Sequence, residues 1–186
     1  MSNFFLRDPD CIFIHIPKTG GSTIRRGLWG SRYDEPVFGK LADDWPSVYS
    51  FAFVRHPLDR FVSAFSDFTQ IRNFNATIEE FAEIVFDHSI KYDETRSMRR
   101  ERIRHHCIPQ THPFNCLYLA QDIYRFENFQ DEVERLGAKL GCKFHELPHR
   151  RKTEHGDWRS HIDQDLTTKL IRFYDQDFET LGYDYP

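Results

Sequence analysis

Two short apolar runs, each breaking into a turn and then a helical pattern, constrain this chain more than any other feature. The first, Cys11 to Ile16, leads into Pro17-Lys18-Thr19-Gly20-Gly21-Ser22-Thr23. The second, Tyr49 to Val54, leads into Arg55-His56-Pro57. Runs of this length without polar alternation suit strands buried on both faces of a parallel sheet. The polar residues that follow then fall at the carboxyl ends of the strands, where open α/β sheets bind their ligands.

The rest of the chain extends this pattern. A helix is expected over about 22–28, stopping near Gly30, and residues 31–47 read as a loop. Pro57 suits a first helical turn, and Leu58, Phe61, Val62 and Phe65 recur at helical spacing, predicting a helix over 57–69. Thr77 and Glu80 form a capping box that opens a helix to about Asp87. Residues 91–104 read as a charged helix and 118–126 as containing a strand. Asn128 and Gly141 bracket a helix over 128–140, and a single last helix covers 165–181. Alternating strands and helices place the chain in the α/β class, with a central, mainly parallel sheet flanked by helices. The 186 residues suit one domain, 1–186, and Phe, present 18 times, is a main core filler.

The loop at Lys18 has the makings of a phosphate cradle. Glycines let backbone approach an anion, a helix start points N–H groups at it, and the lysine adds a full charge. In the common nucleoside-triphosphate loop the lysine follows the last glycine. Here Lys18 precedes Gly20 and Gly21, so that pattern fails. Arg55 and Ser63 offer a second anion site, a planar fork of donors and a hydroxyl two turns into the following helix. The net charge of -4 gives no bulk attraction to nucleic acid, so any anion site must be local.

Taken together, Pro17 to Thr23 and Phe51-Ala52-Phe53-Val54-Arg55-His56-Pro57-Leu58-Asp59-Arg60-Phe61-Val62-Ser63-Ala64-Phe65 resemble the two cofactor motifs of sulfotransferases. The variant is that of the membrane-associated carbohydrate sulfotransferases and their soluble bacterial relatives. His106-Cys107-Ile108-Pro109-Gln110 resembles a short His-x-x-Pro-Gln element of the family, and Tyr124-Arg125-Phe126-Glu127-Asn128-Phe129 its strand-to-helix junction. Leu147-Pro148-His149 and Tyr174 to Tyr183 resemble its C-terminal third. The resemblance implies a P-loop-like, three-layer fold, 3′-phosphoadenosine 5′-phosphosulfate as donor and adenosine 3′,5′-bisphosphate as product, with no metal. Lys18 and the backbone of Thr19, Gly20, Gly21, Ser22 and Thr23 would hold the 5′-phosphosulfate. Arg55 and Ser63 would hold the 3′-phosphate, with Lys152, in the basic run His149 to Lys152, as a further contact.

Transfer to a hydroxyl needs a general base, and histidine suits neutral pH. Relatives carry a histidine between the two cofactor motifs, but residues 31–50 hold none here. His106 is the first replacement, His105 beside it the second, and Asp34 or Glu35 an acidic alternative. The competing reading of His105 and His106 is structural, as partly buried rings. His15 and His56 read as supports of the loops they flank.

The acceptor is an alcohol, expected to be a carbohydrate or glycoconjugate. The segment from Lys91 to His106, with 6 Lys/Arg against 3 Asp/Glu, is either an entrance for an anionic glycan or a solvated helix. Two other classes compete: a P-loop kinase or nucleotidase, and a nucleotide-binding module without catalysis. Cys107, His112 and Cys116 make an incomplete metal knuckle, so ordinary thiols are expected. A Cys107–Cys116 disulfide would require an oxidising compartment. No signal or membrane-spanning segment is evident, and a soluble, cytoplasmic protein is expected.

Overall fold

The computed structural model describes residues 2–6, 9–29, 37–38, 47–92, 99–142 and 156–186. They belong to two compact units: Met1–Arg55 with His112–Lys152, and His56–Thr111 with Thr153–Pro186.

The first unit carries the sheet. Its strands are β1 (Ser2–Leu6), β2 (Cys11–Ile14), β3 (Val37–Phe38), β4 (Tyr49–Val54) and β5 (Asp122–Arg125), in the order β3-β1-β2-β4-β5. β2 pairs β4 and β4 pairs β5 in parallel, with Ile14 opposite Ala52 and Val54 opposite Arg125. β1 runs antiparallel to both β2 and β3, so every strand except β1 points the same way. The sheet is therefore mainly parallel, as the apolar runs predict.

One face of the sheet presents Phe4, Leu6, Cys11, Phe13, Phe51, Phe53 and Tyr124. Ile24 of α1 (Gly21–Trp29) and Val133 and Leu136 of α5 (Phe129–Leu140) pack against it. The rings stack across neighbouring strands, Phe13 on Phe51 at 5.2 Å and Phe53 on Tyr124 at 5.1 Å, a geometry that adds to the gain from burial alone. Ile12, Ile14, Ala52 and Val54, on the opposite face, are also buried. Both faces are thus covered, which explains why these strands lack polar alternation.

The second unit is helical. α2 (Pro57–Ser66) passes into a π-helical turn, Asp67–Ile71, and is followed by α3 (Ile78–Phe86) and α4 (Arg99–Cys107). After residue 156 come α6 (Gln164–Phe173) and α7 (Asp175–Leu181). Its core joins Leu58, Phe61, Phe81, Leu170, Tyr174 and Phe178. The capping box is present as read: Thr77 accepts from the Glu80 N–H at 3.2 Å, and Glu80 accepts from the Thr77 N–H at 2.8 Å.

Several expectations change. β1 was not foreseen. The strand in 118–126 is only Asp122–Arg125, because Leu117–Leu119 coils as a 3-10 turn. The charged helix begins at Arg99 within the described residues and reaches Cys107, while Lys91 and Tyr92 are not helical. Asn128 precedes α5 without a side-chain cap, whereas Gly141 ends it at φ 66° as read. The single last helix is broken at Tyr174, whose φ and ψ of -102° and 14° leave the helical region.

Two buried charges organise the second unit. The Arg60 guanidinium is 1 % exposed and donates to the carbonyls of His106 (2.9 Å) and Ile108 (2.6 Å), closing the C-terminal end of α4. Helix carbonyls left without partners carry partial negative charge, and a cation satisfies both needs. The Asp177 carboxylate is fully buried and accepts from the backbone N–H groups of Gln110 (2.8 Å) and Thr111 (2.9 Å), and from the Thr111 hydroxyl (2.8 Å).

Candidate functional site

The chain leaves β2 at Ile14 and turns through His15-Ile16-Pro17-Lys18-Thr19-Gly20 before α1 begins at Gly21. Lys18 sits at φ 70° and Gly20 at φ 84°. Two left-handed residues so close together bend the backbone into the kind of concavity that gathers N–H groups around an anion. The Thr19 hydroxyl donates to the Ile16 carbonyl at 2.9 Å and fixes the turn. The Gly20 carbonyl accepts from Thr23 (2.9 Å) and Ile24 (3.1 Å), which starts the helix. The N–H of Thr23 is therefore engaged, and the donors at the helix start are those of Gly21 and Ser22. No acidic residue stands in the first turn of α1 to repel an anion.

Both glycines are required by packing. A Cβ on Gly20 would lie 2.6 Å from Phe129 Cε2 and 3.2 Å from Phe126 Cε2, and one on Gly21 only 2.0 Å from His15 Nε2. His15 is buried beneath the loop. Its ring rests 5.3 Å from the Phe13 ring and 5.8 Å from Phe4, and its backbone N–H donates to Asn3 Oδ1 at 3.2 Å. Arg25 lies over Phe4 at 4.7 Å and donates to the Gly21 carbonyl at 3.3 Å. The loop thus stands on side chains from β1, β2 and α1.

Arg55 is the residue after β4. Because β4 is parallel to β2 and adjacent to it, Arg55 and the Lys18 loop emerge from the same edge of the sheet. The Arg55 guanidinium lies 4.5 Å over the ring of Phe126, the residue that follows β5. The predicted loop and the predicted arginine are therefore held at one end of the first unit. Phe126 and Phe129, which pack around them, were read in the sequence only as part of a junction. Their Arg-Phe-Glu-Asn-Phe run directly after a strand was the available signal.

Ser63 is in the second turn of α2, in the second unit, and is buried. His56 lies there too, against Trp158 (6.0 Å) and edge-on to Phe178 and Tyr183. Lys152, His149, Arg150, Arg151, Asp34 and Glu35 lie outside the described residues.

His105 and His106 end α4, buried at 5 % and 3 % exposure. His106 Nδ1 lies 2.6 Å from the Arg102 carbonyl, so it carries the proton, and Nε2 then accepts from Arg72 at 3.4 Å. Arg72 is in turn paired with the buried Asp67 carboxylate at 2.8 Å. Both ring nitrogens of His106 are engaged inside the second unit. A general base needs an available lone pair, so this geometry supports the structural reading. His105 Nδ1 lies 3.1 Å from the Tyr92 carbonyl.

None of the four cysteines is in a disulfide, and burial pushes the Cys11 thiol up to about 12. Among the described residues no group of His, Cys, Asp and Glu is arranged to hold a metal ion. Among them no helix is long and apolar enough to cross a membrane.

The family profile of the sulfotransferase family matches residues 3–184 of the chain. The chain belongs to the sulfotransferase family. That match takes in the Lys18 loop, Arg55, Ser63 and the Asp177 staple. A search of curated proteins returns no match. The crystal structure of a sulfotransferase from Alicyclobacillus acidocaldarius is similar at a TM-score of 0.49 and 18 % identity, over 76 % of this chain and 57 % of that one. The present sulfotransferase-family chain thus spans a little over half the length of that structure.

Proposed function

We propose that this chain transfers a sulfuryl group from 3′-phosphoadenosine 5′-phosphosulfate to a hydroxyl of a carbohydrate or glycoconjugate. The observation that carries the reading is the pairing of a glycine loop, packed so that no Cβ fits, with an arginine at the next strand end. A donor with phosphate at two separated places needs two separated cationic sites. The loop fits the first, because the left-handed turns at Lys18 and Gly20 bend it ahead of the helix start at Gly21 and Lys18 supplies charge. Arg55 fits the second.

When bound, the donor supplies the activated sulfuryl group and departs as adenosine 3′,5′-bisphosphate. Lys18 offsets negative charge at the loop, and the N–H groups of Gly21 and Ser22 orient it. The Arg55 fork and the Ser63 hydroxyl are assigned to the 3′-phosphate, with Lys152 as an outer contact. Positioning and charge stabilisation are the chain's contribution, as in phosphoryl transfer. We further propose that the two units work as one sulfotransferase domain, since the chain passes between them three times, after Arg55, Thr111 and Lys152.

Equilibrium titration with adenosine 3′,5′-bisphosphate, beside a transfer assay with labelled donor and a panel of sugars, tests the reading. Lys18→Ala should weaken nucleotide binding by about ten- to a hundredfold, the value of one charge-assisted contact. Tighter binding of magnesium ATP than of the bisphosphate would overturn the donor assignment. On the acceptor side, His106→Ala should melt earlier yet retain transfer while folded. Loss of transfer with intact nucleotide binding would instead restore His106 as the base.

A further inference from the structure

We propose that Phe126 is a positioning residue that joins the two halves of the nucleotide clamp and sets how strongly the 3′-phosphate is read. The inference rests on the assignment of Arg55 to that phosphate and adds a residue outside both cofactor motifs.

The register places it there. Val54 is opposite Arg125 in the parallel β4–β5 pair, so Arg55 and Phe126 are the next residues out of the same sheet edge. The Arg55 guanidinium lies 4.5 Å from the Phe126 ring centroid. A cation over an aromatic face is held by the ring's negative quadrupole. The guanidinium donors form a rigid planar fork, so fixing its carbon over the ring limits where that fork can point. Lysine, a point charge on a flexible stem, gains less from such a platform.

The same ring meets the other half of the site. Phe126 Cε2 is 3.2 Å from the position a Cβ would take at Gly20, the residue that turns the loop at φ 84°. Phe129, 5.3 Å from Phe126, closes on the same point at 2.6 Å and rests 5.5 Å from Phe53 of β4. Gly20 and Arg55, 35 positions apart in the chain, thus share one partner from a third segment. Phe129 presses closer on Gly20 and the Thr19 hydroxyl holds the loop turn, so loss of the Phe126 ring releases the arginine while the loop keeps its support. The partly exposed ring contributes little to the buried core, which suits a positioning role.

The test compares affinities for adenosine 3′,5′-bisphosphate and adenosine 5′-monophosphate, measured by titration on the full chain. The ratio of the two isolates the 3′-phosphate. Phe126→Leu should cut this ratio about two- to fivefold, the reach of one exposed cation–π contact, with monophosphate affinity nearly unchanged. Phe126→Trp should keep or raise the ratio. Arg55→Lys, which carries no folding risk from the aromatic side, should lower it as Phe126→Leu does, and the double variant should lose little more. Equal loss for both nucleotides in Phe126→Leu would make the ring a general support and overturn the proposal, as would a full ratio in Arg55→Lys. A ratio untouched by Arg55→Ala would instead overturn the assignment of Arg55 to the 3′-phosphate.

Discussion

At Lys18 side chain and backbone make opposing demands. Its φ of 70° disfavours any residue with a Cβ, and its charge is what the proposed donor binding requires. Lys18→Gly should therefore raise stability in urea unfolding by about 1 kcal/mol while weakening nucleotide binding. Gly21 is the reverse case. Gly21→Ala drives a methyl into His15, which is held by Phe4, Phe13 and Asn3, and should cost about 1–3 kcal/mol. Adding His15→Ala to that variant should recover part of the loss in the same assay. The turn at Lys18 and Gly20 was legible in the sequence, because two glycines between an apolar run and a helical pattern are a local signal. The fit of His15 under Gly21 was not, because it depends on β1, whose short apolar segment carried no clear strand signal.

Helix ends show how far local signals reach. The Thr77–Glu80 box needs only residues three apart, so it could be read directly, and Thr77→Ala should lower stability by about 1 kcal/mol. The end of α4 could not be read this way, since its carbonyls are closed by Arg60 from α2, 46 residues earlier than His106. In the sequence Arg60 is one more charge within a cofactor motif. In the fold it is 1 % exposed. Arg60→Ala should cost about 3 kcal/mol or more by thermal melting, because it strands buried carbonyls. His106 belongs to the same end of α4. Its place in a His-x-x-Pro-Gln element suggests catalysis, while Arg72, its partner from 34 residues earlier, is set only by the packed helices. The break at Tyr174 was likewise hidden, since the residues around it keep a helical pattern.

Across the whole molecule, the parallel strands and the placing of Lys18 and Arg55 at their carboxyl ends follow from apolar runs alternating with helices. The division into two units does not, because Arg55 and His56 are neighbours in one motif yet belong to different units. The edge of the sheet where β4 and β5 begin is fastened differently from the edge where they end. Tyr49 donates to Asp122 at 2.7 Å, and Lys139 pairs with the same carboxylate at 2.6 Å. Hydrogen bonds from Lys139 and then Tyr49 hold Asp122 below the ordinary carboxylate value of 3.8. A depressed carboxylate stabilises the fold above that value and loses its effect as pH falls through the lower folded one. Asp122→Asn should therefore cost about 0.5–1 kcal/mol at pH 7, as suits a part-exposed pair. The gap from the parent protein should close below about pH 4 in pH-dependent unfolding.

The buried carboxylate of Asp177 has a consequence for how the chain is made. The ribosome releases Gln110 and Thr111 long before it reaches Asp177, yet their N–H groups have no permanent acceptor until that residue emerges. Residues 56–111 must wait, partly exposed, until a residue 66 positions beyond Thr111 is made. A nascent chain arrested with α7 still inside the ribosome should stay sensitive to protease in that stretch, and one arrested after α7 has emerged should be protected.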